Sequence, residues 1–430
     1  MNRMNGKNYG IGSRLWLRTA AVAVFIAVGA FGLCRVAGIG PEMGLLQANS
    51  DSLAEENRAD DGVRQETRVG EDPCEEPDVG DGSSLETWTS ADLSSPLPVP
   101  SVSAKTAVVM DINTGRVLYE KDKDEKIYPA STTKIMTALI AVEQGNMDKE
   151  VKIPPEAVGV EGSSIYLAQG EKLPMRDLVY GLMLRSGNDS AVAIAEEIAG
   201  STEEFVNMMN RRAQEIGAKN THFMNPNGLQ DENHYTTAYD MALMARQAMH
   251  NPTFREVAKA KSYQADRGEG KFNMFYNKNK VVYQYEGGTG IKIGFTKTAG
   301  RTLVASSERD GMELICVVMN DPNWFEDSYA LMDYAYSNYQ QYRIAEKNTP
   351  LKEFDVTGGD KGKVFVGTRE DVYCPILKGK EANVQIAYEL AQKSAAPITR
   401  WQEAGLLHVS IEGTYCYSVP LYYLEDIPKQ

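Results

Sequence analysis

The sequence predicts an α+β fold: one antiparallel sheet carrying an inserted helical domain, followed by a small β-rich C-terminal domain. Three observations predict it. Two short apolar runs flank a turn near residue 113, and four more strand-like runs lie between 280 and 319. Between these groups, over about 145–260, apolar residues recur at helical spacing, so strands from both ends enclose a helical middle. After about 350 the pattern is strand-like again.

The chain has 430 residues, room for two or three domains, and its 42% hydrophobic and 24% charged content is ordinary for globular protein. The net charge of -14 is uneven: residues 51–100 hold 14 Asp/Glu against three Arg, and residues 1–50 are net +4. Residues 101–430 carry only -7, so the folded part is mildly acidic and offers no basic surface for nucleic acid.

At the N-terminus Arg3, Lys7, Arg14 and Arg18 precede an uncharged apolar run, Thr19 to Cys34. Residues 1–40 are therefore predicted to be a signal peptide or an N-terminal membrane anchor, and either places the rest outside the cytoplasm. Residues 41–102 are poor in aromatics, acidic, and finish Ser94-Ser95-Pro96-Leu97-Pro98-Val99-Pro100, a composition that predicts a disordered tether. As a random coil such a tether spans roughly 45 Å.

Folding is expected to begin near Lys105, in the domain assigned to 103–345. Thr106–Asp111 and Arg116–Glu120 around Asn113-Thr114-Gly115 predict a hairpin. Ile135, Met136, Leu139, Ile140 and Val142 then predict a buried helix over about 131–143, led in by Pro129. Ser201-Thr202-Glu203-Glu204 reads as a capping box for a helix that Gly217 stops, and another helix is expected over Tyr239–Ala248. Strands are expected at Lys280–Tyr285, Gly290–Phe295, Thr302–Ser307 and Glu313–Met319, and a final helix over Ser328–Tyr339. The C-terminal domain, 350–430, holds strand signals at Lys363–Val366, Val372–Ile376, Val384–Tyr388, Leu406–Ile411 and Tyr415–Tyr423 and reads as sandwich-like. The five cysteines form no CxxC pair, and the four histidines form no ligand pattern, so neither a metal nor a cofactor is implied. Cys374 and Cys416 could bridge, but separate reduced positions are the simpler reading.

Three polar clusters interrupt the apolar patterns. Ser131 and Lys134 stand three residues apart, so hydroxyl and amine share a helix face, and a desolvated lysine can take the proton that makes a serine nucleophilic. Ser186-Gly187-Asn188 lies between the apolar Leu178–Leu184 run and a helix expected near Ser190. Lys292-Ile293-Gly294 lies on a strand ahead of Phe295 and Thr296. The order S-x-x-K, S-x-N, K-x-G, with 55 residues from Ser131 to Ser186 and 106 from Ser186 to Lys292, is specific in combination. Gly288-Thr289-Gly290 lacks the rest of a dinucleotide loop, and no phosphate-cradling motif occurs.

With Asn225-Pro226-Asn227-Gly228-Leu229 and His234-Tyr235-Thr236-Thr237-Ala238-Tyr239-Asp240 added, residues 103–345 resemble the serine-type D-alanyl-D-alanine carboxypeptidases. These are the low-molecular-mass penicillin-binding proteins of the β-lactamase/transpeptidase superfamily, and residues 350–430 resemble their C-terminal domain. The resemblance implies Ser131 as nucleophile, Lys134 as base, Ser186 as proton relay and Asn188 as orienting group. It implies Lys292, Gly294, Phe295 and Thr296 as the substrate-binding strand, with backbone N–H groups of Ser131 and Phe295 as oxyanion hole. The implied partners are a peptidoglycan stem peptide, β-lactam antibiotics as covalent inhibitors, and the membrane if the N-terminal segment is retained. The implied site of action is the membrane surface or the cell wall.

The sequence departs from the family at Ile293, where a threonine is usual, and at Asn227, where histidine is frequent. A hydroxyl bonded to a charged carboxylate contributes about 1.5–3 kcal/mol, so Ile293 predicts weakened turnover, with Arg301 as a nearby source of replacement charge. The alternative is a degenerate relative that binds the wall or penicillin without useful turnover. A β-lactamase is a weaker alternative, because no E-x-x-L-N-type loop lies between Ser186 and Lys292.

Overall fold

The computed structural model describes residues 97–391 and 393–430. The signal or anchor expected over 1–40 and most of the tether lie outside them. Among the described residues no helix is long and apolar enough to cross a membrane. Residues 97–104 already pack on the folded body: Asn338 Nδ2 donates to Leu97 O (2.9 Å) and Ser103 Oγ to the carboxylates of Asp321 and Asp327 (both 2.7 Å). Folding thus starts a few residues before Lys105.

The hairpin forms as expected. Strand β1 (Thr106–Asp111) pairs antiparallel with β2 (Val117–Lys121), and Asp111 holds the turn by accepting from the Thr114 amide and hydroxyl. Three further strands, β3 (Gly288–Thr296), β4 (Gly300–Arg309) and β5 (Met312–Met319), complete a five-stranded antiparallel sheet in the order β2-β1-β5-β4-β3. Both faces are covered, which is why β1 and β5 are buried throughout. Val108, Met110, Val304 and Ile315 face the helical domain, whereas Val109, Leu303, Leu314 and Val318 face the last helix of the domain.

The helical insertion contains α1 (Lys134–Gln144), α2 (Asn188–Ala199), α3 (Thr202–Ile216), α4 (Ala238–Met249) and α5 (Pro252–Lys259). Ser201 caps α3, accepting from the Glu204 amide at 3.2 Å, and Gly217 ends it at φ +91°, a conformation that suits glycine. The last helix, α6, spans Trp324–Asn338, four residues earlier at its start than the apolar spacing suggested. The strand expected at Lys280–Tyr285 is instead a single helical turn, Val281–Gln284. Asn279 accepts from the Val281 amide, and buried Val281 packs its carbonyl beside Gly288, where a β-carbon would lie 2.2 Å from it. A four-residue apolar run carries too little periodicity to tell the two states apart.

In the C-terminal domain β6 (Tyr339–Ala345) pairs with β9 (Val372–Leu377). The other strands form a six-stranded sheet: β7 (Lys352–Thr357), β8 (Lys363–Gly367), β10 (Val384–Leu390), β11 (Ser394–Ala395), β12 (Glu403–Ile411) and β13 (Thr414–Tyr423), in the order β10-β12-β13-β8-β7-β11. Cys374 and Ile376 of the small sheet share a core with Ile411 of the large one, so the two sheets are layered. Strand β6, placed by sequence in the preceding domain, belongs by its hydrogen bonds to this one.

Ser201→Ala is expected to destabilise the protein by about 1 kcal/mol in urea unfolding, and Ser201→Gly by only a few tenths. Equal losses for the two would show that the cap hydrogen bond does not hold α3.

Candidate active site

Pro129 and Ala130 set the backbone at the centre of the site. Ala130 is buried at φ +49°, and Ala130–Thr133 form a 3-10 turn ahead of α1, tightened by Thr132 Oγ1 donating to Pro129 O (2.6 Å). The single helix expected from 131 is therefore two elements. The distinction matters, because side chains three apart eclipse in a 3-10 turn, which stacks Ser131 over Lys134. Ser131 is half-buried.

Lys134 has 0% exposure. Its Nζ lies 2.9 Å from Ser131 Oγ, 2.6 Å from Asn188 Oδ1 and 2.7 Å from the carbonyl of Asn227. Carbonyl oxygens only accept, so a neutral amine spends its two N–H bonds on Asn188 and Asn227 and turns its lone pair to the serine hydroxyl. Burial lowers the Lys134 pKa well below the usual lysine value, and the charges of Lys292 and Lys278 lower it further. None of its three hydrogen-bond neighbours is a carboxylate. The nearest opposing influence is Asp189, whose carboxylate is occupied by the amides of Ile165, Leu167 and Ser190 and the Ser164 hydroxyl.

Ser186 ends a wide helical turn, Gly181–Arg185, at φ +64°, and is nearly buried. Two residues on, Asn188 opens α2, and its Nδ2 donates to Glu161 O (2.5 Å), which fixes the amide so that Oδ1 faces Lys134. Asn227, marked from sequence only as a departure from the family's frequent histidine, supplies the third contact to the amine through its backbone. Its neighbour Gly228 sits at φ +87°, where a β-carbon would lie 1.9 Å from Ala130 O. The His234–Asp240 motif is structural: His234 Nδ1 accepts from the Met224 amide and Nε2 donates to Thr133 Oγ1 (2.9 Å), while Ile127 and Thr236 exchange backbone hydrogen bonds. Burial holds His234 down to about 4, in keeping with a neutral ring that braces the nucleophile turn.

Strand β3 forms the open edge of the sheet. Lys292 is only 1% exposed, and burial, with the charge of Lys278 second, brings its pKa down to about 7. Gly294 lies against the nucleophile turn, since a β-carbon there would stand 2.9 Å from the Ser131 amide nitrogen. This brings Ser131 N–H beside the strand that bears Phe295, a residue 61% exposed. Thr296 is only at the margin: its Oγ1 accepts from the Ala299 amide in the turn to β4. Ile293 pairs across the sheet with Leu303 and packs with the α6-side core, on the face away from Lys292. Arg301 is committed elsewhere, with Nη1 on Pro322 O (3.0 Å) and its guanidinium over Trp324, so it does not stand in for the absent threonine.

The geometry thus joins Ser131, Lys134 and Asn188 by hydrogen bonds, sets Lys292 within electrostatic reach of the amine, and brings Gly294 against the nucleophile. The Asn227 carbonyl, Asp189 and Lys278 were not found from sequence. A backbone acceptor leaves no side-chain signal, and a single basic residue outside any motif leaves little.

Residues 93–323 match the D-alanyl-D-alanine carboxypeptidase family, and residues 339–429 match the penicillin-binding protein 5 C-terminal domain. The chain belongs to the D-alanyl-D-alanine carboxypeptidase family. Among curated members of that family, DacF of Bacillus subtilis is 34% identical over 76% of this chain and 86% of its own length. DacC of Escherichia coli is 30% identical over 77% and 86%. The crystal structure of penicillin-binding protein 5 from Haemophilus influenzae superposes with a TM-score of 0.65 at 31% identity, covering 77% of this chain and all of that one. PBP3 of Streptococcus pneumoniae, described as a peptidoglycan synthesis regulatory factor, gives 0.67 at 25% identity over 76% of this chain.

Gly228→Ala is expected to push the 225–229 loop off Ala130, detach the Asn227 carbonyl from Lys134 and lower acylation at Ser131 by about tenfold or more. Acylation at the parental rate, measured with a fluorescent penicillin, would show that this carbonyl does not position the amine.

Proposed function

We propose that this chain removes the terminal D-alanine from peptidoglycan stem peptides, outside the cytoplasm, through an acyl-enzyme on Ser131, and that β-lactams acylate the same hydroxyl. The observation that carries the reading is the 2.9 Å contact between Ser131 Oγ and a fully buried Lys134 amine whose other neighbours are both carbonyls. Family membership of nearly the whole described chain supports the same substrate class.

In this reading Lys134 takes the hydroxyl proton as Oγ bonds to the carbonyl carbon between the two D-alanines. The amides of Ser131 and Phe295 receive the charge that develops on the carbonyl oxygen, a contribution of about 3–4 kcal/mol for each donor. Ser186 passes a proton to the amine nitrogen as the C–N bond breaks and free D-alanine leaves. Water then attacks the ester, Lys134 takes its proton, and Ser131 is regenerated. Lys292 supplies positive charge to the substrate's terminal carboxylate, and that anion in turn favours the protonated form of a lysine poised near 7. The N-terminal segment, as signal or anchor, delivers the domain to the wall.

Ile293 carries no hydroxyl, but its side chain packs with the α6-side core on the face away from Lys292, so the reading leaves the carboxylate to Lys292 and does not carry over the weakened turnover expected from the sequence. Ile293→Thr, on that face, is expected to leave kcat/KM for a peptide ending in two D-alanines within about twofold of the parent. A rise of tenfold or more would show that residue 293 does reach the carboxylate. Incubation with penicillin is expected to add one antibiotic mass, mapped by peptide sequencing to Ser131, with steady D-alanine release from the peptide. Ser131→Ala should abolish both. An adduct on another residue, or release by the alanine variant, would overturn the reading, and acylation without release would identify a degenerate binder.

A further inference from the structure

A cavity of about 580 Å³ lies where the β1–β2 turn meets the C-terminal domain. The junction is fixed around it: Arg116 donates to Pro375 O, Gln341 Nε2 to Asp111 Oδ2 (3.2 Å) and Tyr339 Oη to Leu118 O (3.1 Å). Its volume is that of a small-molecule site. The turn belongs to strands three and four places across the sheet from β3, roughly 14–19 Å away, so this is not the cleft of Ser131.

Two features describe what it fits. Tyr373 is 40% exposed, and the Tyr417 hydroxyl, donating to Tyr373 O (2.8 Å), ties a second ring beside it. A third ring, Tyr422, is backed by the Arg369 guanidinium at 4.0 Å. Flat aromatic faces suit the C–H face of a pyranose. Exposed Glu370 and Asp371 stand at the rim with Arg369, so acceptors and donors ring the aromatic surface as hydroxyl groups require. Their balance is one negative charge, which disfavours polyanions.

We infer that this junction binds N-acetylated hexose units, the glycan part of the polymer whose peptide the Ser131 site acts on; the choice of sugar rests on the function proposed above. Holding glycan there raises the effective concentration of attached peptides at the catalytic cleft. The test is calorimetric titration of the full chain with a β-1,4-linked tetramer of N-acetylglucosamine, a probe that contains no peptide. Saturable binding is expected, weakened about tenfold by Tyr373→Ala and several-fold by Glu370→Gln, with thermal midpoints near that of the parent, and retained in Ser131→Ala. No binding, binding indifferent to both junction variants, or binding lost in Ser131→Ala would overturn the proposal. Sugar binding that persists in a protein unable to release D-alanine would keep the junction site and discard the catalytic reading, so the two failures are distinguishable.

Discussion

A lysine amine without water is the constraint on which the rest of this structure depends. Burying a charged ammonium costs several kcal/mol even after relaxation, and no carboxylate contacts Lys134 to repay it. The favourable form is the neutral amine, and the surroundings are built to hold that form: two carbonyl acceptors, one hydroxyl, and two further lysines whose charge disfavours a third. Basicity at Ser131 is therefore a product of packing, not of a dedicated acid partner.

That arrangement draws on three distant stretches of chain, and the sheet makes their meeting possible. Strands β1 and β2 deliver the nucleophile turn, and β3–β5 return after the helical domain to lay Lys292 beside it. Close approach is achieved by omitting side chains: Gly228 against Ala130, and Gly294 against Ser131. Asp189 works one layer out, gathering the amides of the 163–167 loop so that Glu161 can hold the Asn188 amide in one orientation. His234 braces the same turn from behind through Thr133.

Much of this was legible in the sequence, for identifiable reasons. The hairpin at 106–121 and the strands at 288–319 carry apolar runs bounded by turn residues, and the capping signal at Ser201 is local chemistry. That Ser131, Lys134 and Asn188 come together was legible because an amine acting on a hydroxyl demands particular side chains at particular spacings. The turn at Val281–Gln284 was misread as a strand because four residues cannot display a period. Asn227 was undervalued because its contribution is a carbonyl, which every residue possesses. The face on which Ile293 lies depends on the register of β3 with β4, and the engagement of Arg301 on a contact across the sheet with Trp324. Neither is encoded locally.

The most direct measurement is the titration of Lys134 itself, by nuclear magnetic resonance of the enzyme carrying isotope-labelled lysine, with the signal assigned through a Lys134→Arg variant. The account predicts that the amine loses its proton well below the ordinary lysine range. A Lys134 that remains an ammonium up to the ordinary lysine range would contradict it, because a protonated amine cannot accept the serine's proton.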